Sequence, residues 1–305
     1  MALKTINTPA VATIKTVGTI AAASVKTWGG ETWTHASPFI AVGHDTTPFV
    51  TAYPWSAAGF GSKISDPGTL PAGAGYSIAF SSSGTQIAVA HPTTPFVSTY
   101  PWSASGFGTK FTNPGTLPAG TGRGVAFTSN GDAVAVAHSA DPMITAYPWS
   151  ASGFGTKFTD PVSPPPTGNN ANGVAFSPAR TEVAVVHGGS PFVTAYPWSA
   201  SGFGTKFTNP GTLPAGIGEG VAFSPAGTEV AVAHTGTPFI TAYPWSASGF
   251  GTKFTNPGTL PAGIGEGVAF SPAGTEVAVA HTGTPFITAY PWSASGFGTK
   301  FTNPG

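Results

Sequence analysis

Hydrophobic and polar residues alternate in short runs along most of the chain, and no segment of useful length has the 3.6-residue period of a helix. Residues 220–224 read Gly-Val-Ala-Phe-Ser, and residues 229–234 read Glu-Val-Ala-Val-Ala-His. Alternation with a period of two predicts β-strands, because successive side chains of a strand point to opposite faces. The intervening residues 225–228 contain a proline and a glycine, which predict a turn. The pattern therefore predicts a hairpin of two short strands.

Two further strands complete the unit. Residues 235–238 and 246–249 have the composition of turns. They separate two more short runs, at 239–245 and 250–255, which we predict to be the third and fourth strands. Four short antiparallel strands in about 47 residues are typical of one blade of a β-propeller.

The same unit recurs along the chain. The tetrapeptide Tyr-Pro-Trp-Ser occurs six times, and its successive tryptophans are 47, 47, 49, 47 and 47 residues apart. Residues 194–258 are identical to residues 241–305, which indicates recent duplication or deliberate construction. Five copies have a clear first strand, and we assign the sixth to residues 30–44, with Trp33 at the position of Phe223. The chain is therefore predicted to be all-β, with six four-stranded antiparallel blades over residues 30–305.

Residues 1–29 precede the predicted blades and are assigned to an N-terminal arm. Two segments of this arm, 11–17 and 23–28, alternate in the manner of strands. We expect them either to add to the edge of a blade or to form an anchor that docks on a partner.

The first two strands of the unit also carry a family resemblance. Residues 221–233, Val-Ala-Phe-Ser-Pro-Ala-Gly-Thr-Glu-Val-Ala-Val-Ala, resemble WD40-like and YVTN-type propeller repeats, in which Ser-Pro-Asp-Gly joins two apolar strands. The chain departs from true WD40 repeats because it lacks the Gly-His pair before the first strand and has Tyr-Pro-Trp-Ser in place of the closing Trp-Asp. The resemblance implies a six-bladed β-propeller and no particular activity.

Composition excludes several classes of partner and site. Lys plus Arg and Asp plus Glu number 11 each, so the net charge is zero, and a nucleic-acid or anionic-membrane partner is not expected. No apolar run approaches the ~20 residues of a membrane helix, so membrane insertion is not expected, and no segment is a convincing signal peptide. The chain has no cysteine and therefore no thiolate ligand or nucleophile.

One histidine stands eleven residues before each repeated tryptophan. A shared metal site is not expected, because a propeller holds equivalent positions of different blades too far apart for one ion. Two alternatives remain: each histidine ends the second strand and hydrogen-bonds a neighbouring loop, or the histidines contribute to a ligand-binding face. The residues are His44, His91, His138, His187, His234 and His281.

The repeated tryptophans also allow two interpretations. Large aromatic side chains are the usual filling between blades. A proline within a strand indicates an edge or a bulge, however, and would favour an outward tryptophan able to stack on a sugar ring. The residues are Trp55, Trp102, Trp149, Trp198, Trp245 and Trp292.

One position differs between copies of an otherwise repeated unit. It lies two residues before the first-strand valine or isoleucine, where the chain of a propeller enters its innermost strand. The residues there are Tyr76, Arg123, Asn172, Glu219 and Glu266. Neutral drift or a face that recognises a ligand or partner would each explain this variation. The lysine that recurs once per blade is expected on the fourth, outermost strand, where it would discourage edge-to-edge pairing.

The sequence gives little support for catalysis. It has no converging set of acidic residues of the kind that propeller glycosidases need, and no nucleophile elbow, phosphate loop or other cofactor motif. We therefore predict a non-enzymatic protein without a cofactor that binds a protein or a glycan. Its low charge, its Thr, Ser, Gly, Ala and Pro content and its fresh duplications are typical of a phage virion component that mediates attachment or assembly. A multivalent lectin with one site per blade, and a natural or engineered repeat scaffold without a ligand, are the alternatives.

Overall fold

The computed structural model of the protein describes residues 16–19, 39–166 and 168–303. These residues form strands and turns, and none of them is helical, so no helix among them could cross a membrane. The chain divides into two compact units, which meet in sequence at Asp160 and Pro161. Each unit contains three four-stranded antiparallel sheets whose strands follow one another in chain order. We call these sheets blades 1 to 6.

Blades 1 to 3 belong to the unit that ends at Asp160. Blade 1 consists of β1 (Thr16–Thr19), β2 (Phe39–Gly43), β3 (Val50–Ser56) and β4 (Gly59–Phe60). Blade 2 consists of β5 (Ser77–Phe80), β6 (Gln86–Ala90), β7 (Val97–Ser103) and β8 (Gly106–Phe107). Blade 3 consists of β9 (Gly122–Phe127), β10 (Ala133–His138), β11 (Ile144–Ser150) and β12 (Gly153–Phe154).

Blades 4 to 6 belong to the unit that begins at Pro161. Blade 4 consists of β13 (Ala171–Phe176), β14 (Glu182–His187), β15 (Val193–Ser199) and β16 (Gly202–Phe203). Blade 5 consists of β17 (Gly218–Phe223), β18 (Glu229–His234), β19 (Ile240–Ser246) and β20 (Gly249–Phe250). Blade 6 consists of β21 (Gly265–Phe270), β22 (Glu276–His281), β23 (Ile287–Ser293) and β24 (Gly296–Phe297).

The predicted fold class, an all-β six-bladed β-propeller of four-stranded blades, is confirmed. The fourth strand is much shorter than predicted, because β20 has two residues where the sequence pattern gave six. Pro244 explains the difference: it has no backbone N–H to donate, so the fourth segment cannot continue a regular ladder along β19. Beyond β20, the chain returns to β19 through the hydrogen bonds from Gly251 N to Pro244 O and from Phe254 N to Ala242 O.

The first strand of blade 1 also differs from the prediction. Strand β1 pairs antiparallel with β2, with Val17 opposite Val42. Four residues that the sequence assigned to the N-terminal arm therefore form a strand of the first blade. The predicted first strand at residues 30–34 lies outside the described residues.

Neighbouring blades pack a small-residue face against a large-residue face. In the contact between blades 5 and 6, blade 5 contributes three alanines and an isoleucine, and blade 6 contributes two valines, a tyrosine and a tryptophan. The residues on the two sides are Ala231, Ala233, Ile240 and Ala242, and Val277, Val279, Tyr290 and Trp292. The alternation of side chains along each strand produces both faces from one sequence, so neighbouring blades within each unit pack in the same way.

At the contacts between blades of one unit, a repeated tryptophan lies among phenylalanine rings, as at Trp102, Trp149, Trp245 and Trp292. Trp245 meets Phe207, Phe223 and Phe250 edge-on, with ring centroids 5.3, 5.3 and 4.9 Å away. Phe207 comes from the segment that follows β16 of blade 4, whereas the other two belong to blade 5. Edge-to-face geometry is favourable for aromatic rings, and each pair contributes about 0.5–1.5 kcal/mol beyond the burial of area.

In blades 2 to 6, the repeated tyrosine bonds the blade to the connection that precedes it. The hydroxyl of Tyr243 donates a hydrogen bond of 2.8 Å to the carbonyl oxygen of Thr212, which lies between blades 4 and 5. The same bond joins Tyr100 to Thr69, Tyr147 to Thr116, Tyr196 to Ser163 and Tyr290 to Thr259. Burial raises the pKa of these phenols, that of Tyr290 to about 12, so they remain neutral donors.

Candidate functional site

The residues that vary between copies lie together in the fold of each unit, at the start of the first strands. Arg123, Asn172, Glu219 and Glu266 each occupy a β-bulge, where the register between first and second strand shifts by one residue. In blade 5, for example, Gly218 lies opposite His234 and Gly220 lies opposite Ala233, so Glu219 is left out of the ladder. Tyr76 immediately precedes β5 at the same blade position. We call these five residues the entry residues.

Glycines on both sides of Glu219 allow this bulge to form. A Cβ atom on Gly218 would lie 2.4 Å from the carbonyl oxygen of Phe192, and one on Gly220 would lie 2.8 Å from Cα of Gly267. The first strands of blades 5 and 6 therefore approach each other closely, backbone against backbone. The repeated Gly-Glu-Gly sequence permits this close approach of the two backbones, a role that was not predicted from the sequence.

Substitution of Gly220 by alanine is expected to lower the free energy of unfolding by about 1–3 kcal/mol, because the added methyl group meets backbone that cannot move aside. Gly211 provides a matched control, since a Cβ atom there would have no heavy atom within 4 Å. Urea denaturation of Gly220→Ala and Gly211→Ala measures the difference. Equal stability of the two variants would contradict the close approach of the first strands.

In the unit that begins at Pro161, three entry residues follow one another on β13, β17 and β21. The side-chain amide of Asn172 donates a hydrogen bond of 3.0 Å to the carbonyl oxygen of Gly218, so Asn172 links blade 4 to blade 5. Glu219 and Glu266 bring carboxylates to the same position of blades 5 and 6. Partial burial raises the pKa of the Glu266 carboxyl above its usual value. The start of the first strands in this unit thus carries acidic side chains.

In the unit that ends at Asp160, the two entry residues are Tyr76 and Arg123. Their strands are joined by the Ser77 hydroxyl, which accepts a hydrogen bond of 3.2 Å from the backbone N–H of Val125. Tyr76 itself donates its backbone N–H to the carbonyl oxygen of Ala90. Arg123 is half-buried, and its Nε atom is shielded from solvent without a hydrogen-bond partner among the described residues. This edge is cationic.

Five of the six repeated histidines lie inside their blades and do not belong to such a face. Nε2 of His234 is 2.8 Å from the hydroxyl oxygen of Thr241 on the third strand of the same blade. Equivalent bonds join His91 to Ser98, His138 to Thr145, His187 to Thr194 and His281 to Thr288. The side-chain partner is thus a hydroxyl group of the third strand, a partner that the sequence did not predict, and these five imidazoles are buried.

Burial also fixes the charge of these imidazoles. Desolvation lowers the pKa of His91, His138, His187 and His234 to about 4 and that of His281 in the same direction, although nearby backbone groups partly offset the effect. His44 differs, because it is half-buried and its Nδ1 lies 3.4 Å from the Thr46 hydroxyl. Within the described ranges, no three His, Asp or Glu side chains are grouped so that they could hold a metal ion.

The tryptophans are turned inward rather than toward solvent. Trp102, Trp149, Trp198, Trp245 and Trp292 are only 4–6% exposed. The proline before each of them does not turn the ring outward, because phenylalanine rings pack against the indole. These five rings have no free face for a sugar, and only Trp55 is half-buried.

Comparison with known proteins identifies the fold and not a family. No protein-family model matches the chain, and no curated protein matches it significantly. Membership of the WD40 or YVTN families is therefore not confirmed. A functionally unknown protein from Desulfotomaculum acetoxidans has a similar structure, with a TM-score of 0.62 and 15% identity over 84% of this chain and 77% of that one. Hydrazine synthase from Kuenenia stuttgartiensis aligns with a TM-score of 0.63 and 13% identity, over 83% of this chain and 73% of that one.

Proposed function

We propose that the chain is a non-enzymatic binding protein, and that it serves as an attachment or assembly component of a phage virion. In each of the two units, the recognition surface is formed by that unit's own entry residues at the start of its first strands. The observation that carries the proposal is that these five positions hold four residue types of different size and charge, with glutamate at two of them, on a framework that is otherwise repeated. Bulges re-aim side chains and are frequent beside functional sites, so the position suits recognition.

The buried histidine and tyrosine side chains of the blades already have partners. The buried imidazoles face threonine or serine hydroxyls, and the buried phenols donate to backbone carbonyl groups. These are the side chains that would most readily serve as acids or bases near neutral pH. Their engagement within the blades supports a binding role rather than a catalytic one.

The virion assignment is supported by composition. Only 7% of the residues are charged, the net charge is zero, and whole units are duplicated without change. We propose a protein partner, because the buried indoles offer no row of stacking platforms for glycans. The presence of the chain in purified phage particles, measured by mass spectrometry, is the direct test. Particles that lack it would contradict the virion assignment, and binding to a glycan array would support the lectin alternative instead.

The recognition surface is tested by two substitutions in blade 6 that remove the same charge. Glu266→Gln alters an entry residue, whereas Glu276→Gln alters the turn at the other end of the β21–β22 hairpin, where the carboxylate accepts a bond from the Thr275 hydroxyl. We expect Glu266→Gln to weaken co-sedimentation with particles about tenfold, equivalent to about 1.4 kcal/mol. Glu276→Gln should leave it unchanged. Equal effects would argue against a recognition surface at the entry residues.

A further inference from the structure

Arg123 is unusual among the cationic side chains of the described residues. Each of the six repeated lysines is bonded to an asparagine or aspartate three residues later, as Lys206 is to Asn209 and Lys63 is to Asp66, both at 2.7 Å. The other four pairs are Lys110 with Asn113, Lys157 with Asp160, Lys253 with Asn256 and Lys300 with Asn303. Arg180 is also partnered. Within the part of the chain that the structure describes, Arg123 is the one cationic side chain with neither a counter-ion nor another polar partner. Its Nε atom, in particular, has no hydrogen-bond partner.

The surroundings of Arg123 make this lack of a partner costly. Its Nε–H is removed from solvent, and a shielded donor without an acceptor loses its hydrogen bond to water without a replacement. Among the described residues, four buried indole N–H groups also lack a partner, at Trp102, Trp149, Trp245 and Trp292, so the positive charge is what sets Arg123 apart. Because the guanidinium is always charged, an anion is the partner that would compensate it most fully.

We propose that Arg123 is an oxyanion-binding residue, which receives a carboxylate or phosphate group of the binding partner. Because Nε is shielded, the two terminal Nη groups are the donors that can meet a partner, and their parallel N–H bonds match two oxygen atoms of either group. The inference rests on the proposed function, since it names the chemistry that one entry residue recognises. It predicts that the entry residues of the unit that ends at Asp160 bind an acidic group of the partner.

The backbone around Arg123 is well placed to hold the guanidinium for such a contact. The adjacent Gly122 donates its N–H to the carbonyl oxygen of His91, 3.1 Å away in blade 2. Two residues after Arg123, the backbone N–H of Val125 donates to the hydroxyl of Ser77, which also belongs to blade 2. Bonds to the neighbouring blade on both sides of the bulge fix the position from which the side chain extends. Tyr76, the entry residue of blade 2, stands at the equivalent position of the adjacent first strand.

The amino-acid composition allows a direct test by nuclear magnetic resonance. The chain contains only two arginines, Arg123 and Arg180, so its side-chain Nε–Hε spectrum contains two signals. Sodium acetate and sodium phosphate are titrated separately at constant ionic strength, up to about 100 mM, a range in which a site with a millimolar Kd saturates. We expect the Arg123 signal to move along a saturable curve while the Arg180 signal stays in place.

The two anions distinguish the source of the oxyanion. Saturation by acetate identifies a carboxylate partner, and saturation by phosphate alone identifies a phosphate group. Parallel movement of both arginine signals, or no movement of either, would overturn the proposal. The variant Arg123→Lys keeps the charge but loses the two-pronged geometry, and it should raise the Kd at least tenfold, measured by isothermal calorimetry, while its circular dichroism is unchanged.

Failure of this inference can be separated from failure of the proposed function. If Arg123 binds neither anion but Glu266→Gln still weakens particle association, the recognition surface stands and the role of Arg123 does not. If Arg123 binds an anion but Glu266→Gln and Glu276→Gln behave alike, the oxyanion site stands without the proposed surface.

Discussion

Acidification from about pH 6.5 to about pH 4 is expected to unfold the blades, because the folded state holds four imidazoles in their neutral form. Burial lowers the pKa of His91, His138, His187 and His234 from 6.5 to about 4. Between these two values the unfolded chain binds protons that the folded chain excludes. Stability is therefore complete above about pH 6.5 and decreases as the pH falls toward the folded-state pKa.

The expected loss is large. One pKa unit corresponds to about 1.4 kcal/mol, so each of these histidines contributes on the order of 3 kcal/mol across the window. Four such groups together approach the whole stability of an ordinary domain, which is about 5–15 kcal/mol. All four side chains are fully buried, so solvent does not screen the effect.

The measurement is the free energy of urea unfolding at several pH values between about 5 and 6.5, where carboxylates are still ionised and histidines dominate the titration. We expect a steep decrease that is accompanied by net proton uptake on unfolding. The variant His234→Gln should take up about one proton fewer. A stability that is constant across this window would show that the imidazoles are not held neutral in the folded state.

Substitution of Trp245 by alanine is expected to cost about 3–5 kcal/mol of unfolding free energy. The change removes a buried ring that three phenylalanines contact, and it leaves a cavity between blades 4 and 5. Trp55 is a matched control, because it belongs to another copy of the same tetrapeptide but is only half-buried. Its ring centroid lies 4.9 Å from that of Phe60. We expect Trp55→Ala to cost less than half as much, with both variants followed by far-UV circular dichroism during urea denaturation.

Comparable losses in the two variants would contradict the packing role of the phenylalanine rings. If Trp245→Ala does not fold, Phe207→Leu provides the second measurement. It keeps an apolar side chain but removes the one ring contact that blade 4 supplies, 5.3 Å from the indole. A loss of about 0.5–1.5 kcal/mol is expected for that edge-to-face pair.

Much of the blade could be predicted from the sequence because its signals are local. The bounds of β18 follow from alternation between two turns, and the structure has the same bounds. The length of the fourth strand depends on Pro244 of the third strand, which has no backbone N–H to donate to it. The sequence pattern of the fourth strand alone does not show this pairing. Phe239 was assigned to the third strand, but it adopts a φ of 69°, a left-handed conformation that sequence patterns associate with glycine.

The candidate site was less predictable for a related reason. Comparison of the copies located the entry residues, because variation against repeated sequence is visible without coordinates. It could not show that Asn172 bonds to the next blade or that His234 faces inward, since the same residue types serve at surfaces and in cores. Identical sequence does not even imply identical surroundings: Ile240 is fully buried under blade 6, whereas Ile287, its exact counterpart, is 41% exposed.

The phenylalanine rings around each tryptophan also bear on how a gene of this kind can change length. Because Phe207 reaches the tryptophan of the following copy, the ring cluster spans the boundary between copies and belongs to neither alone. Within blades 4 to 6, an in-register crossover adds or removes 47 residues and again places a phenylalanine of the preceding copy beside the tryptophan of the next. A crossover out of register would separate a ring from its tryptophan. The packing of these blades thus tolerates gain or loss of whole copies and penalises partial ones.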